Sequence, residues 1–162
     1  MAETPPSDPI SVLFVCMGNI CRSPLAEGLL GHKARGRGVE SRFIIDSAGT
    51  GGWHAGERPD GRVREVASRH GVDLNGRARQ VTPQDFDRFD HVICMDDENR
   101  RQLEQDGAPD EKLRLLLECD PAAAVREVPD PYYGGRRGFE NVYGLIDSAC
   151  EALLDELLAV SR

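Results

Sequence analysis

The feature that most constrains the fold of this chain is a short apolar run, followed at once by a polar segment and a proline. Residues 12–15 are apolar and mostly β-branched or aromatic, which is typical of a buried strand. Ser23 stands where a helix N-cap is favoured, and Pro24 occupies the first helical position. A strand, a loop over residues 16–22 and a helix direct backbone N–H groups towards one point. The sequence therefore predicts an anion-binding site at the start of this helix.

The two reactive side chains of this loop stand at its ends. Cys16 opens the loop and Arg22 closes it, in a Cys-x5-Arg spacing. Inward N–H groups, a helix start and a guanidinium each stabilise a thiolate, and a thiolate held where phosphate binds suggests attack on phosphorus. Arg22 can hold two phosphoryl oxygens with its planar fork. The alternative is a cysteine buried as a small hydrophobe beside an unrelated arginine. The flanking strand and the Ser-Pro helix start favour the catalytic interpretation.

The other residues of the loop suit a cradle for an anion. Gly18 lets the backbone approach closely, and Asn19 tolerates the left-handed conformation that a tight cradle needs. Ser23 can donate to the sulfur, cap the helix or do both. Cys21 either packs under the loop or traps an oxidised Cys16 as a disulfide, and both interpretations stay open. The predicted substrate-binding residues here are Met17, Gly18, Asn19, Ile20, Cys21 and Ser23.

The rest of the chain alternates strands with helices. Strands are predicted at 11–15, 43–48, 91–95 and 112–117, and helices at 24–34, from 59 to 71, at 83–89, from 96 and from 139 to 157, with a long loop at 118–138. This order predicts an α/β fold, a three-layer, doubly wound, four-stranded parallel sheet with helices on both faces. Ligands of such sheets bind beyond the carboxyl ends of the strands. Cys16, Trp53, Asp96 and the 118–138 loop should therefore converge at one end.

Residues Val15-Cys16-Met17-Gly18-Asn19-Ile20-Cys21-Arg22-Ser23 resemble the signature loop of the low-molecular-weight protein tyrosine phosphatases. The resemblance runs from about residue 10 to the last helix. It implies a phosphotyrosine phosphatase I-like fold, a phosphate loop at residues 16–22 and a phosphocysteine intermediate. The family often carries a histidine just before Ala78-Arg79-Gln80 that helps to brace the loop asparagine, whereas Gly76 and Arg77 occupy that region here.

A proton donor for the leaving group is expected in the 118–138 loop. Taken alone, Val128-Pro129-Asp130-Pro131 reads as an ordinary proline-rich turn. By resemblance, Asp130-Pro131-Tyr132-Tyr133 is similar to the general-acid motif of the family, which assigns the acid to Asp130. Trp53, Tyr132 and Tyr133 could form walls for a flat phenolic ring, or one of them could belong to the core. A phosphoarginine-directed branch carries threonine where Ile20 stands, so Ile20 favours tyrosine.

Composition narrows the classes of function. The chain has 162 residues, a net charge of −8 and five cysteines. We expect a flexible tail over residues 1–9 and a single phosphatase domain over residues 10–162. The acidic balance argues against nucleic acid and membranes as partners. The odd cysteine count, without zinc-type pairs, argues against a disulfide framework and a metal site, so we expect no cofactor. No apolar run approaches membrane-spanning length and residues 1–9 do not resemble a signal peptide, so we expect a cytoplasmic location.

The sequence thus predicts a metal-free phosphatase, expected to act as a monomer. Its partners should be phosphotyrosine-containing proteins or small aryl phosphates, and phosphate-like oxyanions should inhibit it. The alternatives are a thiol-based arsenate reductase on the same fold, a phosphoarginine phosphatase, and a phosphate-binding module without turnover. The reductase needs further cysteines that pass on a disulfide, and Cys94 and Cys119 do not form a close pair in the sequence. A binding module needs no general acid.

Overall fold

A sheet of four parallel strands forms the centre of the molecule. The computed structural model describes residues 9–131 and 135–160. The strands are β1 (Ile10–Cys16), β2 (Phe43–Gly49), β3 (His91–Cys94) and β4 (Leu113–Leu115), in the spatial order β2-β1-β3-β4. β1 pairs with β2 along its whole length, from Ile10 opposite Phe43 to Cys16 opposite Gly49. The predicted four-stranded parallel sheet is therefore confirmed, with β1 and β3 in its middle.

Five α-helices connect and cover the strands. They are α1 (Arg22–Gly36), α2 (Gly61–Arg69), α3 (Pro83–Arg88), α4 (Asp97–Gln105) and α5 (Gly135–Val160). Short 3-10 turns cover Glu40–Arg42, Asp110–Lys112 and Leu116–Cys119. Capping follows the sequence at α3, where the Asp85 carboxylate accepts a hydrogen bond from the Thr82 backbone N–H at 2.7 Å.

The side chains of β1 show why helices lie on both faces of the sheet. Val12 and Phe14 join a core cluster with α1, α2 and α5, whereas Leu13 and Val15 join a second cluster with α3 and α4. All four side chains are fully buried. A strand that is apolar on both faces must be covered on both. Helices cover each face of β1 along its continuous apolar run. The predicted three-layer arrangement is thus confirmed.

Several element boundaries differ from the sequence prediction. α1 begins at Arg22 rather than at Pro24, and α5 begins at Gly135 rather than at Phe139. β4 ends at Leu115, because residues 116–119 turn into a 3-10 helix. The predicted N-terminal tail lies outside the described residues except for Pro9. Within the described ranges, no helix is both long enough and apolar enough to cross a membrane.

Candidate active site

The loop over residues 16–22, here called the phosphate loop, lies at the carboxyl end of β1 between two other strand ends. The segment after β2 is tied directly to it by backbone bonds. The Thr50 N–H donates to the Cys16 carbonyl at 2.9 Å, and the Gly51 N–H donates to the Met17 carbonyl at 3.0 Å. Further along, the Asp60 N–H donates to the Ile20 carbonyl at 2.8 Å. The convergence predicted for the strand ends is therefore present at this loop.

Ser23 does not cap α1 as the sequence suggested. The N-cap is Cys21, whose side chain makes no capping bond, and Ser23 is fully buried within the first turn. Its hydroxyl lies 3.0 Å from the sulfur of Cys16 and accepts a hydrogen bond from the Asn19 amide at 2.8 Å. Because the Asn19 amide occupies a lone pair of this oxygen, the hydroxyl hydrogen can point at the sulfur. The second predicted role of Ser23, as a donor to the thiol, thus replaces the cap.

Asn19 holds the centre of the phosphate loop. Its φ of 56° is the single positive value among the described non-glycine residues, as the sequence predicted for this asparagine. Its amide nitrogen also donates to the Ser47 hydroxyl at 2.9 Å, and its side-chain oxygen accepts from the Arg79 backbone N–H at 3.0 Å. Three side-chain bonds from separate segments therefore fix this conformation. The Arg79 backbone thus braces the asparagine from the stretch that follows Gly76 and Arg77, where the sequence lacks a bracing histidine.

A second layer of polar groups stands behind these bonds. The Ser47 hydroxyl donates to the Glu27 carboxylate at 2.5 Å, and burial raises the pKa of Glu27 even though this bond opposes the rise. The Arg79 guanidinium bonds to Asp46 and Asp85 at 3.0 Å each. These contacts join α1, β2 and α3 behind the loop. The contacts of Glu27 with Ser47 and of Arg79 with Asp46 were not predicted from the sequence, because they join residues 20 and 33 positions apart.

Arg22 links the phosphate loop to two other loops. Its Nη1 donates to the Asp96 carboxylate at 2.7 Å and to the Val128 carbonyl at 2.9 Å, and the residue is 5% exposed. Burial alone would lower its pKa, but the negative charges of Cys16, Asp96 and Asp130 outweigh burial and raise it. Asp96 also caps α4 by accepting from the Asn99 N–H at 2.8 Å. Asp96 therefore both orients Arg22 and caps its own helix.

The segment that carries Asp130 is held next to this arginine. The Val128 N–H donates to the Met95 carbonyl at 2.9 Å, and the Glu127 carboxylate accepts from the Asp97 N–H at 2.7 Å. Asp130 is half-buried, and its charge contributes to the raised pKa of Arg22. Cys16, Arg22 and Asp130, which are predicted from distant parts of the sequence, thus lie at one end of the sheet.

The remaining predicted site residues lie around the mouth or outside the described residues. Met17 is 45% exposed and Trp53 is 73% exposed, with the indole ring over Gly51. Ile20 is half-buried, whereas Cys21 is 5% exposed and belongs to the core cluster of α1. Tyr132 and Tyr133 lie outside the described residues, so their predicted contacts with a phenolic ring remain predictions.

The other cysteines lie in the core. Burial raises the pKa of both Cys94 and Cys119 to about 12, which keeps these thiols protonated and unreactive at neutral pH. Cys150 is fully buried and its pKa is raised for the same reason. Over residues 9–131 and 135–160, no cluster of three His, Cys, Asp or Glu side chains is arranged to hold a metal ion.

A buried cysteine and a buried arginine at the two ends of the loop between β1 and α1 form the arrangement expected of a cysteine-based phosphate-handling site. The sequence profile of the low molecular weight phosphotyrosine protein phosphatases matches residues 11–161. The low molecular weight protein-tyrosine-phosphatase YfkJ of Bacillus subtilis is 45% identical over 148 residues, which span 90% of this chain and 94% of that protein.

Solved structures agree with this match. The crystal structure of YfkJ superposes with a TM-score of 0.92 at 42% identity, covering 96% of this chain and 99% of that one. A protein tyrosine phosphatase of Entamoeba histolytica, crystallised with Hepes in its active site, gives a TM-score of 0.89 at 35% identity over 94% of this chain and 99% of that one. The chain belongs to the low molecular weight phosphotyrosine protein phosphatase family. It is a protein tyrosine phosphatase, and the prediction from its signature loop is confirmed.

Proposed function

We propose that Cys16, Arg22 and Asp130 carry out the hydrolysis of phosphotyrosine through a phosphocysteine intermediate. The observation that supports these roles best is the position of Arg22. Its guanidinium is buried, feels the charges of Cys16 and Asp130, and is held by Asp96 and the Val128 carbonyl. One cation therefore interacts with both the proposed nucleophile and the proposed acid, and its charge suits the negative oxygens of a phosphoryl group.

In the first step, the Cys16 thiolate attacks phosphorus in line with the tyrosine oxygen. A sulfur–phosphorus bond forms while the phosphorus–oxygen bond breaks, and Asp130 gives its proton to the departing phenol oxygen. Arg22 holds equatorial phosphoryl oxygens as the geometry changes. The Ser23 hydroxyl, 3.0 Å from the sulfur, stabilises the thiolate before attack and after its release.

In the second step, water hydrolyses the phosphocysteine. Asp130, now ionised, takes a proton from the water as its oxygen attacks phosphorus, and the sulfur leaves as a thiolate. Inorganic phosphate is released, and Asp130 is again protonated for the next cycle. Oxyanions that resemble phosphate or its pentacoordinate transition state, such as vanadate, should inhibit by occupying the same loop.

The expected substrates are phosphotyrosine-containing proteins or small aryl phosphates. The exposed indole of Trp53 and the exposed Met17 offer apolar contacts for a phenolic ring at the mouth. The alternative of an arsenate reductase is disfavoured by the core cysteines, since Cys94 and Cys119 are buried with a raised pKa and cannot readily pass on a disulfide. The half-buried Ile20 keeps the preference for tyrosine over phosphoarginine that the sequence suggested.

We also propose that the protein acts in the cytoplasm as a monomer. None of the five cysteines forms a disulfide in the structure and all are buried, an arrangement that suits a reducing compartment. The buried thiols without disulfides, and a cysteine pattern that predicts none, therefore support the cytoplasmic location.

The roles of the cysteine and the acid can be separated in one set of experiments. Cys16→Ser should abolish turnover but still bind vanadate, because Arg22 and the backbone of the loop remain. Asp130→Asn should lower phenyl phosphate hydrolysis by about 10²–10⁴-fold, and much less for p-nitrophenyl phosphate, whose leaving group needs no proton. Glu127→Gln removes a neighbouring carboxylate that bonds to a backbone N–H and serves as the matched control.

Two results would contradict these assignments. Substantial turnover by the Cys16 variant would remove this residue from the role of nucleophile. An equal loss for both substrates in the Asp130 variant would reassign Asp130 to a structural role.

A further inference from the structure

A cavity beside α1 is separate from the phosphate loop and shares none of its residues. Its volume is about 390 Å³, which lies in the range in which proteins bind small molecules. One wall is the face of α1 that carries Glu27, Gly28 and Gly31, and the other walls are the start of β2 and the segment over residues 71–76. The two steps of hydrolysis proposed above use none of these residues.

The cavity combines apolar walls with a half-buried carboxylate. The side chains of Phe43 and Leu74 belong to the core and line it, and Glu27 supplies the carboxylate. Burial raises the pKa of Glu27, and neither the bond from Ser47 nor the charge of Arg79 cancels that rise. The negative charge of Glu27 is thus only partly compensated by its surroundings, and a cation inside the cavity would compensate it further.

The carboxylate of Glu27 can be reached from the cavity because Gly76 has no side chain. A Cβ added at Gly76 would have one neighbour within 4 Å among the described residues beyond its chain neighbours, Oε1 of Glu27 at 4.0 Å. Both residues line the cavity. The space in front of this oxygen is therefore available to a group that a ligand brings.

The other charged groups that line the cavity make it acidic. They are Arg35, Glu40 and Asp73, with the exposed His32 at the rim. Arg35 donates from Nε to Oε2 of Glu40 at 2.5 Å, so these two charges offset each other. The carboxylates of Glu27 and Asp73 are left to set the sign of the potential inside, which attracts cations.

A chain of hydrogen bonds joins this carboxylate to the sulfur of the phosphate loop. The two amide hydrogens of Asn19 are both used, one on the Ser23 hydroxyl at 2.8 Å and one on the Ser47 hydroxyl at 2.9 Å. Each hydroxyl hydrogen is therefore directed elsewhere. That of Ser23 points at the Cys16 sulfur, 3.0 Å away, and that of Ser47 points at Oε1 of Glu27, 2.5 Å away. The position of Glu27 is thus linked to the residue at the centre of the phosphate loop.

We propose that this cavity is a second binding site, which takes a compact organic cation with an amidinium, guanidinium or protonated amine on a small apolar body. The N–H groups of the cation donate to the Glu27 carboxylate, and the apolar body packs against Phe43 and Leu74. A cation that holds Glu27 also holds Ser47 and Asn19 in the arrangement of the phosphate loop. The cation and a phosphate-like anion therefore bind cooperatively, and each raises the affinity for the other.

The test uses benzamidine as the cation and benzamide, its neutral isostere, as the control ligand. Titration calorimetry on the full chain should give a Kd for benzamidine of roughly 0.3–10 mM, as for other ligands of this size. Benzamide should bind at least about tenfold more weakly, because it brings no charge to the carboxylate. Saturating vanadate should lower the Kd of benzamidine by about fivefold, and benzamidine should lower the Kd of vanadate by the same factor.

Two variants locate the binding at this cavity. Gly76→Leu fills the space in front of Glu27 and keeps the carboxylate, and it should weaken benzamidine binding by at least about tenfold. The matched control is Gly36→Leu, which adds the same side chain at the end of α1, where a Cβ meets nothing within 4 Å, and should bind as the wild type. Glu27→Gln keeps the size of the side chain and should reduce benzamidine to the affinity of benzamide.

Equal binding of benzamidine and benzamide would overturn the inference, as would wild-type affinity for benzamidine in both Gly76→Leu and Glu27→Gln. An unchanged Kd of benzamidine at saturating vanadate would overturn the cooperativity. All of these measurements record binding and need no turnover. Their outcome is therefore independent of whether Cys16 and Asp130 have the roles proposed above.

Discussion

A single methyl group on α5 should displace the segment that carries Asp130. A Cβ at Gly138 would lie 2.7 Å from the carbonyl oxygen of Pro131, the residue after the proposed acid. Real Cβ contacts are essentially never below 3.0 Å, and the atom contacted belongs to the backbone, so it cannot rotate away. Gly138→Ala must therefore move α5 or residues 130–131 by several tenths of an ångström.

The same structure offers a matched control on the same helix. A Cβ at Gly144 would meet nothing within 4 Å, so Gly144→Ala should stabilise the protein by up to about 1 kcal/mol through helix propensity. Gly138→Ala gains a similar propensity but overpacks a backbone contact, which costs about 1–3 kcal/mol. The free energy of unfolding of Gly138→Ala should therefore be lower than that of Gly144→Ala by about 1–3 kcal/mol.

The effect on catalysis should follow from the position of the acid. A misplacement of about 1 Å can cost roughly 10²-fold in rate, so a shift of several tenths of an ångström should lower phenyl phosphate turnover by about 3- to 30-fold. The loss should be smaller for p-nitrophenyl phosphate, whose leaving group needs no proton. Urea unfolding and steady-state kinetics on both variants measure these differences. Equal stability and equal turnover of Gly138→Ala and Gly144→Ala would refute the reasoning.

Two further variants test the second layer of the site and the loop thiols. Burial opposes ionisation of Asp85, but its bonds to Arg79 outweigh burial and lower its pKa. A carboxyl group whose pKa is lowered in the folded state stabilises the fold at pH values above the ordinary carboxyl pKa. This stabilisation is lost as the pH falls and the group becomes protonated. Asp85→Asn should thus cost about 1–3 kcal/mol at pH 7, with the difference from wild type shrinking below about pH 4 in pH-dependent denaturation. A constant difference would contradict this. Mild peroxide should inactivate the enzyme and dithiothreitol should restore it through a Cys16–Cys21 disulfide, so Cys21→Ser should stay active but recover poorly. Equal recovery would show that Cys21 only packs.

The sheet and the ends of the phosphate loop could be predicted because their signals are local. The apolar run of β1 and the Ser-Pro pair after the loop lie within 15 residues of each other, and the parallel sheet follows from the alternation of elements. Asp130 was assigned only through the resemblance, because its own surroundings taken alone favour an ordinary proline-rich turn. The fold and the family are confirmed, whereas the catalytic roles remain to be tested.

The contacts that complete the site were not predictable in the same way. Asn19 bonds to the Arg79 backbone 60 positions away, and Arg22 bonds to the Val128 carbonyl 106 positions away. A backbone N–H or carbonyl has no residue-type signal, so sequence patterns do not point to it. The wrong N-cap at Ser23 has a related cause. The hydroxyl that suits a cap also suits the sulfur and the amide of Asn19, and tertiary contacts decided between them.

The bonds of Arg22 divide its donors between two tasks. Both hydrogen bonds that Arg22 makes to described residues use Nη1, one to Asp96 and one to the Val128 carbonyl. Nε and Nη2 lie on the other edge of the guanidinium fork. They can donate to the oxygens of a phosphoryl group while both Nη1 bonds stay in place. A lysine at this position has one nitrogen for every partner, so it would have to choose between the loops and the substrate. The planar shape of the guanidinium, more than its charge, would allow the proposed binding and release of phosphate while the surrounding loops keep their places.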